Sequence, residues 1–299
     1  MFMTECNNNC SLCQEDCDSR QSDFVADATK QQCNNDCSTC SLDCPDRDLK
    51  VKANQYSNIK KVIAVVSGKG GVGKSIVTSL LASAMRFKGY NVGILDADIT
   101  GPSIPQAFGV DGFLFSDGVS ILPLESKNGV KIVSTNLILK EKGQPVLWRG
   151  ALITSLVKQF YTEVIWGDID YLFIDLPPGT GDVSLTIFQS LPIDGVIIVS
   201  TPQHLVRMIV EKAVRMAEMM KVRILGLVEN MSYIVCGDCG KNIPLFGDGN
   251  IEELANQFNL KVLAKLPLDP TLAKAVDAGT IEQCSVEGLN ALTDMLEKI

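Results

Sequence analysis

The chain has 299 residues, 46% of them hydrophobic, and a formal net charge of −8. This length fits one large domain or two smaller ones with a sizeable core, and the acidic balance gives no basic face of the kind that nucleic-acid binding needs. No apolar run reaches the roughly 18 residues of a membrane-spanning helix. We therefore expect neither a nucleic-acid nor a membrane partner.

The first fifty residues are acidic and rich in cysteine. They contain ten Asp and Glu against four Lys and Arg, and too few large apolar side chains to offset the entropy of ordering. This segment is therefore either disordered or held by metal. The opening residues MFMTECNNN lack the pattern of a secretory signal, so we expect a cytoplasmic protein whose cysteines are metal ligands or reactive thiols.

Two stretches of this segment are near copies of each other. CNNNCSLCQEDC (6–17) and CNNDCSTCSLDC (33–44) are identical at eight of twelve positions and share the spacing C-x3-C-x2-C-x3-C. The bacterial ferredoxin run, C-x2-C-x2-C-x3-C-P, has a first gap one residue shorter. We predict an iron–sulfur site in each copy, with zinc or redox-labile thiols as alternatives. The predicted ligands are Cys6, Cys10, Cys13, Cys17, Cys33, Cys37, Cys40 and Cys44.

We place this cysteine-rich arm at residues 1–45 and a linker at 46–58, and from residue 59 onward strands and helices alternate. Strands are predicted at KKVIAVVSG, NVGILDAD, YLFIDL, GVIIVS, RILGLVEN and KVLAKL. Helices are predicted after the glycine-rich turn GKGGVGKS and at ALITSLVKQFYTEV, HLVRMIVEKAVRMAEMM, NIEELANQF and VEGLNALTDMLEKI. Apolar strands alternating with amphipathic helices indicate one α/β domain, 59–299, with a parallel sheet covered on both faces.

The turn after the first strand fits the phosphate-binding pattern G-x-x-x-x-G-K-[ST], and it lies between a strand and a helix as that pattern requires. Its glycines let backbone N–H groups surround phosphate oxygens. Lys74 is expected to reach the β- and γ-phosphates of ATP, and the Ser75 hydroxyl is expected to bind Mg²⁺. The predicted nucleotide-binding residues here are Gly68, Lys69, Gly70, Gly71, Val72, Gly73, Lys74 and Ser75.

Acidic residues end two of the predicted strands. Asp175 follows YLFI and is placed to hold Mg²⁺ through water, as a Walker-B carboxylate does. Asp96 and Asp98 end GILDAD, and one of them could orient the attacking water. A solvated carboxylate at a strand end is the alternative for each of the three.

Cys236 and Cys239 form a CxxC motif that follows VENMSY. Two thiolates are half of the four ligands that a closed tetrahedral site needs. The pair therefore implies a homodimer with one metal site on its two-fold axis. A shared zinc ion and a redox-active dithiol are the alternatives. Cys284 stands alone and is interpreted as a small buried side chain, and His204, the single histidine, as a surface or helix-capping residue.

The glycine-rich turn carries a second lysine, Lys69, and resembles the deviant Walker A motif of the MinD/ParA/nitrogenase-iron-protein superfamily. The further motifs ILDADITGPSIP, WRG, DYLFIDLPPGTGD, STPQ, VENMSY and LPLDP are similar to those of the Mrp/ApbC-type iron–sulfur carrier ATPases. The chain departs from that pattern at Ala151, which follows WRG where proline is usual, and at His204, which follows STPQ where an acid is usual.

This resemblance implies roles for particular residues. Lys69 would contact nucleotide bound by the opposing subunit, Asp98 would orient water, and Asp175 would hold magnesium. Asn230 and the Pro267 segment would line the adenine pocket. A 4Fe–4S cluster would be bridged by the CxxC of each subunit.

We therefore expect an ATP-hydrolysing carrier that transfers a labile cluster to apo iron–sulfur proteins. An ATP-gated electron donor like the nitrogenase iron protein is the first alternative, although that protein draws its two cysteines from separate segments. A positioning or partition ATPase is the second. It requires a basic terminal helix or a basic DNA-binding face, and the last predicted helix carries three acids and one lysine.

Overall fold

The computed structural model describes residues 50–299 except 99–100, 102, 117, 119, 139–149, 180, 203–205, 247–250 and 286. The chain divides into two units after Lys50, and the elements below belong to the second, Val51–Ile299. The predicted cysteine-rich arm, the Trp148–Arg149 pair and His204 lie outside the described residues. No helix in the described part is long and apolar enough to cross a membrane.

Strands and helices alternate along the domain. The strands are β1 (Asn58–Ser67), β2 (Val92–Asp96), β3 (Phe115–Ser116), β4 (Ile121–Leu122), β5 (Leu124–Glu125), β6 (Lys131–Ser134), β7 (Asp168–Asp175), β8 (Gly195–Ser200), β9 (Ile224–Val235), β10 (Asn242–Pro244) and β11 (Val262–Pro267). The α-helices are α1 (Lys74–Phe87), α2 (Ile104–Ala107), α3 (Gly150–Thr162), α4 (Asp182–Ser190), α5 (Val206–Met219), α6 (Ile251–Gln257), α7 (Pro270–Asp277) and α8 (Asn290–Leu296).

Within the described residues the main sheet has nine strands, in the order β10-β9-β8-β1-β7-β2-β6-β5, with β11 also paired to β9. Strand β1 runs parallel to both neighbours, β7 and β8, and the predicted parallel sheet is confirmed. Antiparallel pairs occur at its two edges, β5 with β6 and β10 with β9. These edge strands are two or three residues long, too short for a pattern of alternating apolar residues to reveal them.

Helices cover both faces of the sheet, as the alternation of strand and helix predicts. Side chains of β1 alternate between the faces: Val62 packs in one core cluster with the large side chains of α3 and α4. Ile63 packs in the other, with α1 and α8. Strand β1 is buried from Val62 to Ser67, which places its carboxyl end and the turn after it at the centre of the sheet edge.

Part of the predicted linker, 46–58, belongs to the folded domain. The Val51 N–H donates a hydrogen bond to the carbonyl of Ser190 at 2.8 Å. The hydroxyl of Ser57 accepts one from the Trp166 N–H at 2.8 Å. Val51 also packs against the core, so the backbone polar groups and the apolar side chains of this segment find partners on the domain surface.

We predict that alanine at Gly279 destabilises the domain through a backbone collision between the ends of α2 and α7. A Cβ on Gly279, whose φ is +66°, would lie 2.5 Å from the Cα of Gly109. Gly89 is a matched control, because its φ is +94° and a Cβ there meets nothing within 4 Å. Both alanines cost about 1 kcal/mol for the left-handed backbone, and the collision adds about 2 kcal/mol.

The midpoint of thermal unfolding is therefore expected to fall by about 4–8 °C more for Gly279→Ala than for Gly89→Ala. Equal midpoints for the two variants would show that the helix ends can separate at little cost.

Candidate nucleotide site and cysteine pair

The turn between β1 and α1 has the conformation of an anion-binding loop. Gly71 and Gly73 have φ of +77° and +78°, a left-handed backbone that glycine adopts without strain. No side chain caps the first N–H groups of α1 at Gly73. These groups have no partner inside the helix and lie at the positive end of its dipole, where phosphate oxygens are favourable acceptors.

Strand β9 holds this loop from the side. The Asn230 side-chain Nδ2 donates a hydrogen bond to the Val72 carbonyl at 2.9 Å, and Asn230 is buried. A Cβ on Gly73 would lie 2.2 Å from that Nδ2. Only glycine therefore fits at Gly73 while Asn230 keeps its place, and the residue predicted for the adenine pocket is also bonded to the backbone of the loop.

Asp175, at the end of β7, is fully buried and has partners on both carboxylate oxygens. Its Oδ2 accepts a hydrogen bond from the Ser75 hydroxyl at 2.5 Å and lies 2.7 Å from the Lys74 ammonium. Its Oδ1 accepts a hydrogen bond from the Thr78 hydroxyl at 2.8 Å. A charge without solvent is tolerated only when paired and hydrogen-bonded, and these three side chains from the start of α1 supply that compensation.

The same residues fit a magnesium–phosphate group. The buried Lys74 Nζ has an ion pair but no acceptor in hydrogen-bonding geometry among the described residues, so its N–H groups remain available to phosphate oxygens. A hydroxyl and a carboxylate are the oxygen ligands that Mg²⁺ takes from proteins, and phosphates and water supply the rest. The described residues contain no group of three or more His, Cys, Asp or Glu side chains placed to hold a metal ion.

Asp96 and Asp98 occupy different environments at the end of β2. Asp96 is fully buried and lies in register with Asp175 on the neighbouring strand. Burial, and next the charge of Asp175, raises the pKa of the Asp96 carboxyl well above its usual range. Asp96 accepts hydrogen bonds from the Ser134 hydroxyl at 3.1 Å and the Asp98 N–H at 3.2 Å. Asp98 is half-buried, so its side chain is the one of the two that solvent can reach.

The remaining predicted nucleotide residues lie around the loop. Lys69 is half-buried, and its carbonyl accepts a hydrogen bond from the Ser67 hydroxyl at 3.0 Å. Pro267 ends β11 in register with Tyr233 of β9. Tyr233 follows Asn230 by three residues, so the Pro267 segment and Asn230 lie at the same end of the sheet.

Strand β9 is irregular where it passes the loop. Lys265 of β11 pairs with Glu229, and Pro267 pairs with Tyr233, so four steps along β9 match two steps along β11. Met231 lies in this bulge with φ of +56°. Bulges redirect a strand, and this one brings Asn230 onto the nucleotide loop. No periodic pattern in the amino-acid sequence predicts that contact.

Beyond the bulge, β9 leads directly into the cysteine pair. The turn after Val235 is closed by two hydrogen bonds at 2.9 Å, from the Cys236 N–H to the Lys241 carbonyl and from the Gly240 N–H to the Cys236 carbonyl. Hydrogen bonds to the sulfur from the backbone N–H groups of Cys239 and Asp238 lower the pKa of the Cys236 thiol. Both cysteines are unoxidised and reach solvent, Cys236 being half-buried and Cys239 exposed. This turn therefore favours a thiolate, the form that binds metal.

Two other residues named in the sequence analysis are Cys284 and Ala151. Cys284 is half-buried against the apolar core, and burial raises the pKa of its thiol. Ala151 lies in the first turn of α3. The amino-acid sequence did not mark Thr78 as part of the site, although its hydroxyl bonds to Asp175. Thr78 follows Lys74 by four residues and so lies on the same face of α1, which is the signal that could have identified it.

Comparison with known proteins places the domain among nucleotide-binding ATPases. Residues 58–299 match the ParA-group family model described as NUBPL iron-transfer P-loop NTPase. An iron–sulfur cluster carrier protein of Clostridium perfringens is 45% identical over 240 residues, which cover 78% of this chain and 84% of the relative.

Solved structures agree with this placement. A nucleotide-binding protein of Archaeoglobus fulgidus, in complex with ADP, has a TM-score of 0.70 at 43% identity, covering 78% of this chain and 91% of that one. MinD of Pyrococcus horikoshii, complexed with Mg-ADP, has a TM-score of 0.55 at 21% identity. The match covers 80% of this chain and 95% of that one. At that identity the MinD similarity concerns the fold alone.

We predict that Gly73→Ala weakens ADP binding by about a hundredfold, because the new methyl group displaces the Asn230 amide and distorts the loop. In the double variant Gly73→Ala/Asn230→Ala the collision is removed, so ADP affinity should recover in part, by about tenfold over Gly73→Ala. Fluorescence titration with a labelled ADP measures both, with Asn230→Ala alone as control. Changes in binding free energy that simply add across the four proteins would show that Gly73 and Asn230 do not interact.

The pKa shifts predict different reactivities for two cysteines. At pH 7–8 the Cys236 thiol should carry more thiolate than Cys284, because its pKa is lowered while that of Cys284 is raised. Iodoacetamide should therefore alkylate Cys236 at least about tenfold faster, as followed by peptide mass spectrometry of reduced, metal-free protein. The difference should shrink as the pH rises and Cys284 ionises. Equal rates at pH 7 would contradict the assigned hydrogen bonds to sulfur.

Proposed function

We propose that this chain, which belongs to the NUBPL iron-transfer P-loop NTPase family, hydrolyses ATP and carries a labile 4Fe–4S cluster between two subunits for transfer to apo-proteins. One observation carries the proposal: strand β9 contacts the nucleotide loop through Asn230 and leads into the cysteine pair beginning at Cys236. A single structural element thus joins the nucleotide site to the predicted cluster site. The relative from Clostridium perfringens, named as an iron–sulfur cluster carrier protein, supports the identity of the cargo.

The need for two subunits follows from the number of ligands. The hairpin of β9 and β10 (Ile224–Pro244) offers two thiols, and no group of three or more His, Cys, Asp or Glu side chains is placed to hold a metal ion among the described residues. A cubane cluster with four cysteine ligands is completed when a second copy brings its own pair. Large apolar side chains on the hairpin and just after it support such a contact, with Val235 48%, Ile243 48% and Phe246 43% exposed. Exposed apolar groups of this kind are typical of interaction surfaces.

The nucleotide chemistry follows from the loop. Backbone N–H groups at the start of α1 bind phosphate oxygens, and Lys74 pairs with the β- and γ-phosphates. Magnesium, when bound through Ser75 and Asp175, neutralises charge on these phosphates. Asp98, the solvent-accessible acid at the end of β2, orients the water that attacks the γ-phosphorus, and Lys69 reaches the nucleotide of the opposing subunit. Positioning and charge neutralisation are all that phosphoryl transfer asks of the protein.

Nucleotide binding would change the contacts that β9 makes. Phosphate oxygens compete for the Lys74 ammonium, which in this structure lies 2.7 Å from Asp175. The Val72 carbonyl, bonded to Asn230, lies in the same loop that closes on phosphate. Any shift of that loop therefore acts on the bulge of β9 and on the hairpin beyond it, which links ATP turnover to how tightly the cluster is held.

A positioning ATPase is disfavoured by the packing of α8. Leu292 and Leu296 are fully buried in the domain core. Lys88, which directly follows α1, pairs with Asp294 at 2.9 Å and with Glu297 at 3.0 Å. The apolar stripe of this helix is therefore used inside the fold and not presented to a membrane. An electron donor like the nitrogenase iron protein remains the alternative, and the origin of both cysteines in one turn favours the carrier.

The proposal extends to the arm at residues 1–45. Each of its two four-cysteine runs would hold an iron–sulfur site of its own, or zinc as the rival, and the acidic, core-poor segment would depend on that metal for folding. These sites could pass clusters or electrons to the pair at Cys236 and Cys239.

We predict that reconstitution of the full chain with iron and sulfide under anaerobic conditions gives dimers with a bridging cluster. Replacing Cys236 and Cys239 by alanine should remove about four iron atoms per dimer and abolish cluster transfer to an apo-ferredoxin. Cys284→Ala is the control and should keep both. Native mass spectrometry and iron and sulfide analysis measure the stoichiometry. A wild-type chain that holds only zinc, or that binds the same iron as a monomer, would contradict the proposal.

A further inference from the structure

We propose that Thr78 is a positioning residue for the carboxylate that would hold magnesium: its hydroxyl holds Oδ1 of Asp175, so that Oδ2 stays turned toward Ser75, the other residue that would bind the ion. Thr78 lies outside the glycine-rich motif, in the second turn of α1. The inference rests on the proposed function, because it assumes that a magnesium nucleotide binds at this site.

The geometry divides the two oxygens of Asp175 between separate sets of partners. Oδ1 accepts the Thr78 hydroxyl at 2.8 Å, whereas Oδ2 is shared by Ser75 at 2.5 Å and Lys74 at 2.7 Å. Thr78 and Asp175 both have 0% exposure, so water does not substitute for either group. Thr78 thus donates to Oδ1, the oxygen that does not contact Ser75 or Lys74. This hydrogen bond leaves Oδ2 available to a metal ion.

Thr78 also has a second acceptor within reach, the Lys74 carbonyl at 3.0 Å. A Ser or Thr hydroxyl in a helix often donates a hydrogen bond to the carbonyl four residues earlier. Such a bond does not by itself indicate a function. One hydrogen serves one acceptor well, and a carboxylate is the stronger acceptor and here the nearer one. Ser83, whose hydroxyl donates to the Ser79 carbonyl at 2.9 Å, shows the plain helical bond on the same helix.

The torsion that orients a carboxylate is broad and two-fold, so packing alone fixes it poorly. Without the Thr78 hydroxyl, Oδ1 would be a buried acceptor that lacks its partner. The carboxylate would then turn to share both oxygens with Lys74 and Ser75, the two groups that a magnesium nucleotide engages. Thr78 therefore keeps Oδ2 oriented for the metal before the nucleotide arrives.

Three variants of the full chain separate this role from a structural one. Thr78→Val keeps the branched shape and removes the hydroxyl, and Thr78→Ser keeps the hydroxyl and removes the methyl group. Ser83→Ala removes a buried helix-bonded hydroxyl on the same helix, away from Asp175. If valine does not fold, as judged by circular dichroism, Thr78→Ala takes its place.

The measurements are the dissociation constant of fluorescently labelled ADP with excess Mg²⁺ and with EDTA, and the binding of Mn²⁺ in the presence of ADP by electron paramagnetic resonance. In Thr78→Val, the gain in ADP affinity that Mg²⁺ brings should fall about tenfold, as expected for a lost hydrogen bond to a charged group. The ADP affinity of Thr78→Val in EDTA should stay within about twofold of the wild-type value. Its Mn²⁺ affinity in the presence of ADP should fall together with the Mg²⁺-dependent gain. Thr78→Ser and Ser83→Ala should resemble the wild type in all three measurements.

Two results would overturn the inference alone: a folded Thr78→Val protein with the Mg²⁺ dependence of Ser83→Ala, or one whose ADP affinity falls equally with Mg²⁺ and with EDTA. The second would mean that Thr78 supports the loop and not the carboxylate. If the wild type itself shows no Mg²⁺ dependence, the magnesium site of the proposed function fails, and the inference fails with it.

Discussion

Asp175 is a carboxylate placed at the end of a central strand with no exposure to solvent. Such a charge would be very costly without compensation, and here the compensation comes from three side chains at the start of a single helix: Lys74, Ser75 and Thr78. The strand and the helix are joined by these contacts. The nucleotide site is thus built on charge pairing and hydrogen bonds between β7 and α1, and the glycine-rich turn lies directly before that helix.

The same helix and strand explain why the site lies where it does. Strand β1 is buried from Val62 to Ser67 between two parallel neighbours. The loop that follows it therefore lies at the carboxyl edge of the sheet. Asp96 and Asp175 end adjacent strands in register at that edge. Parallel strands therefore bring together acids that are far apart in the chain, which is the usual location of ligand sites in such sheets.

The centre of this fold is readable from the amino-acid sequence because its strands are continuous apolar runs and its loop has a strict spacing. Features that depend on tertiary contacts are not readable in that way. The hydrogen bond from Asn230 to Val72 exists because β9 is bulged, and no local pattern marks a bulge at Met231. Val51 and Ser57 belong to the domain because Ser190 and Trp166 offer partners across the surface, whereas the polar composition of that segment alone indicates a linker.

Strand β9 continues well past the point where β8 ends, since Ser200 pairs with Glu229 and the first cysteine follows only at position 236. This further part is about 20 Å of chain; it pairs with β11 as far as Tyr233 and with β10 from there to Val235, and it contains the bulge that touches the nucleotide loop. Over that length a rotation of one degree moves the tip by about 0.3 Å, which already exceeds the tolerance of about 0.2 Å in metal–ligand distances. Under the proposed function the hairpin would act as a lever, because an angular change too small to disturb the sheet is large on the scale of a metal–sulfur bond.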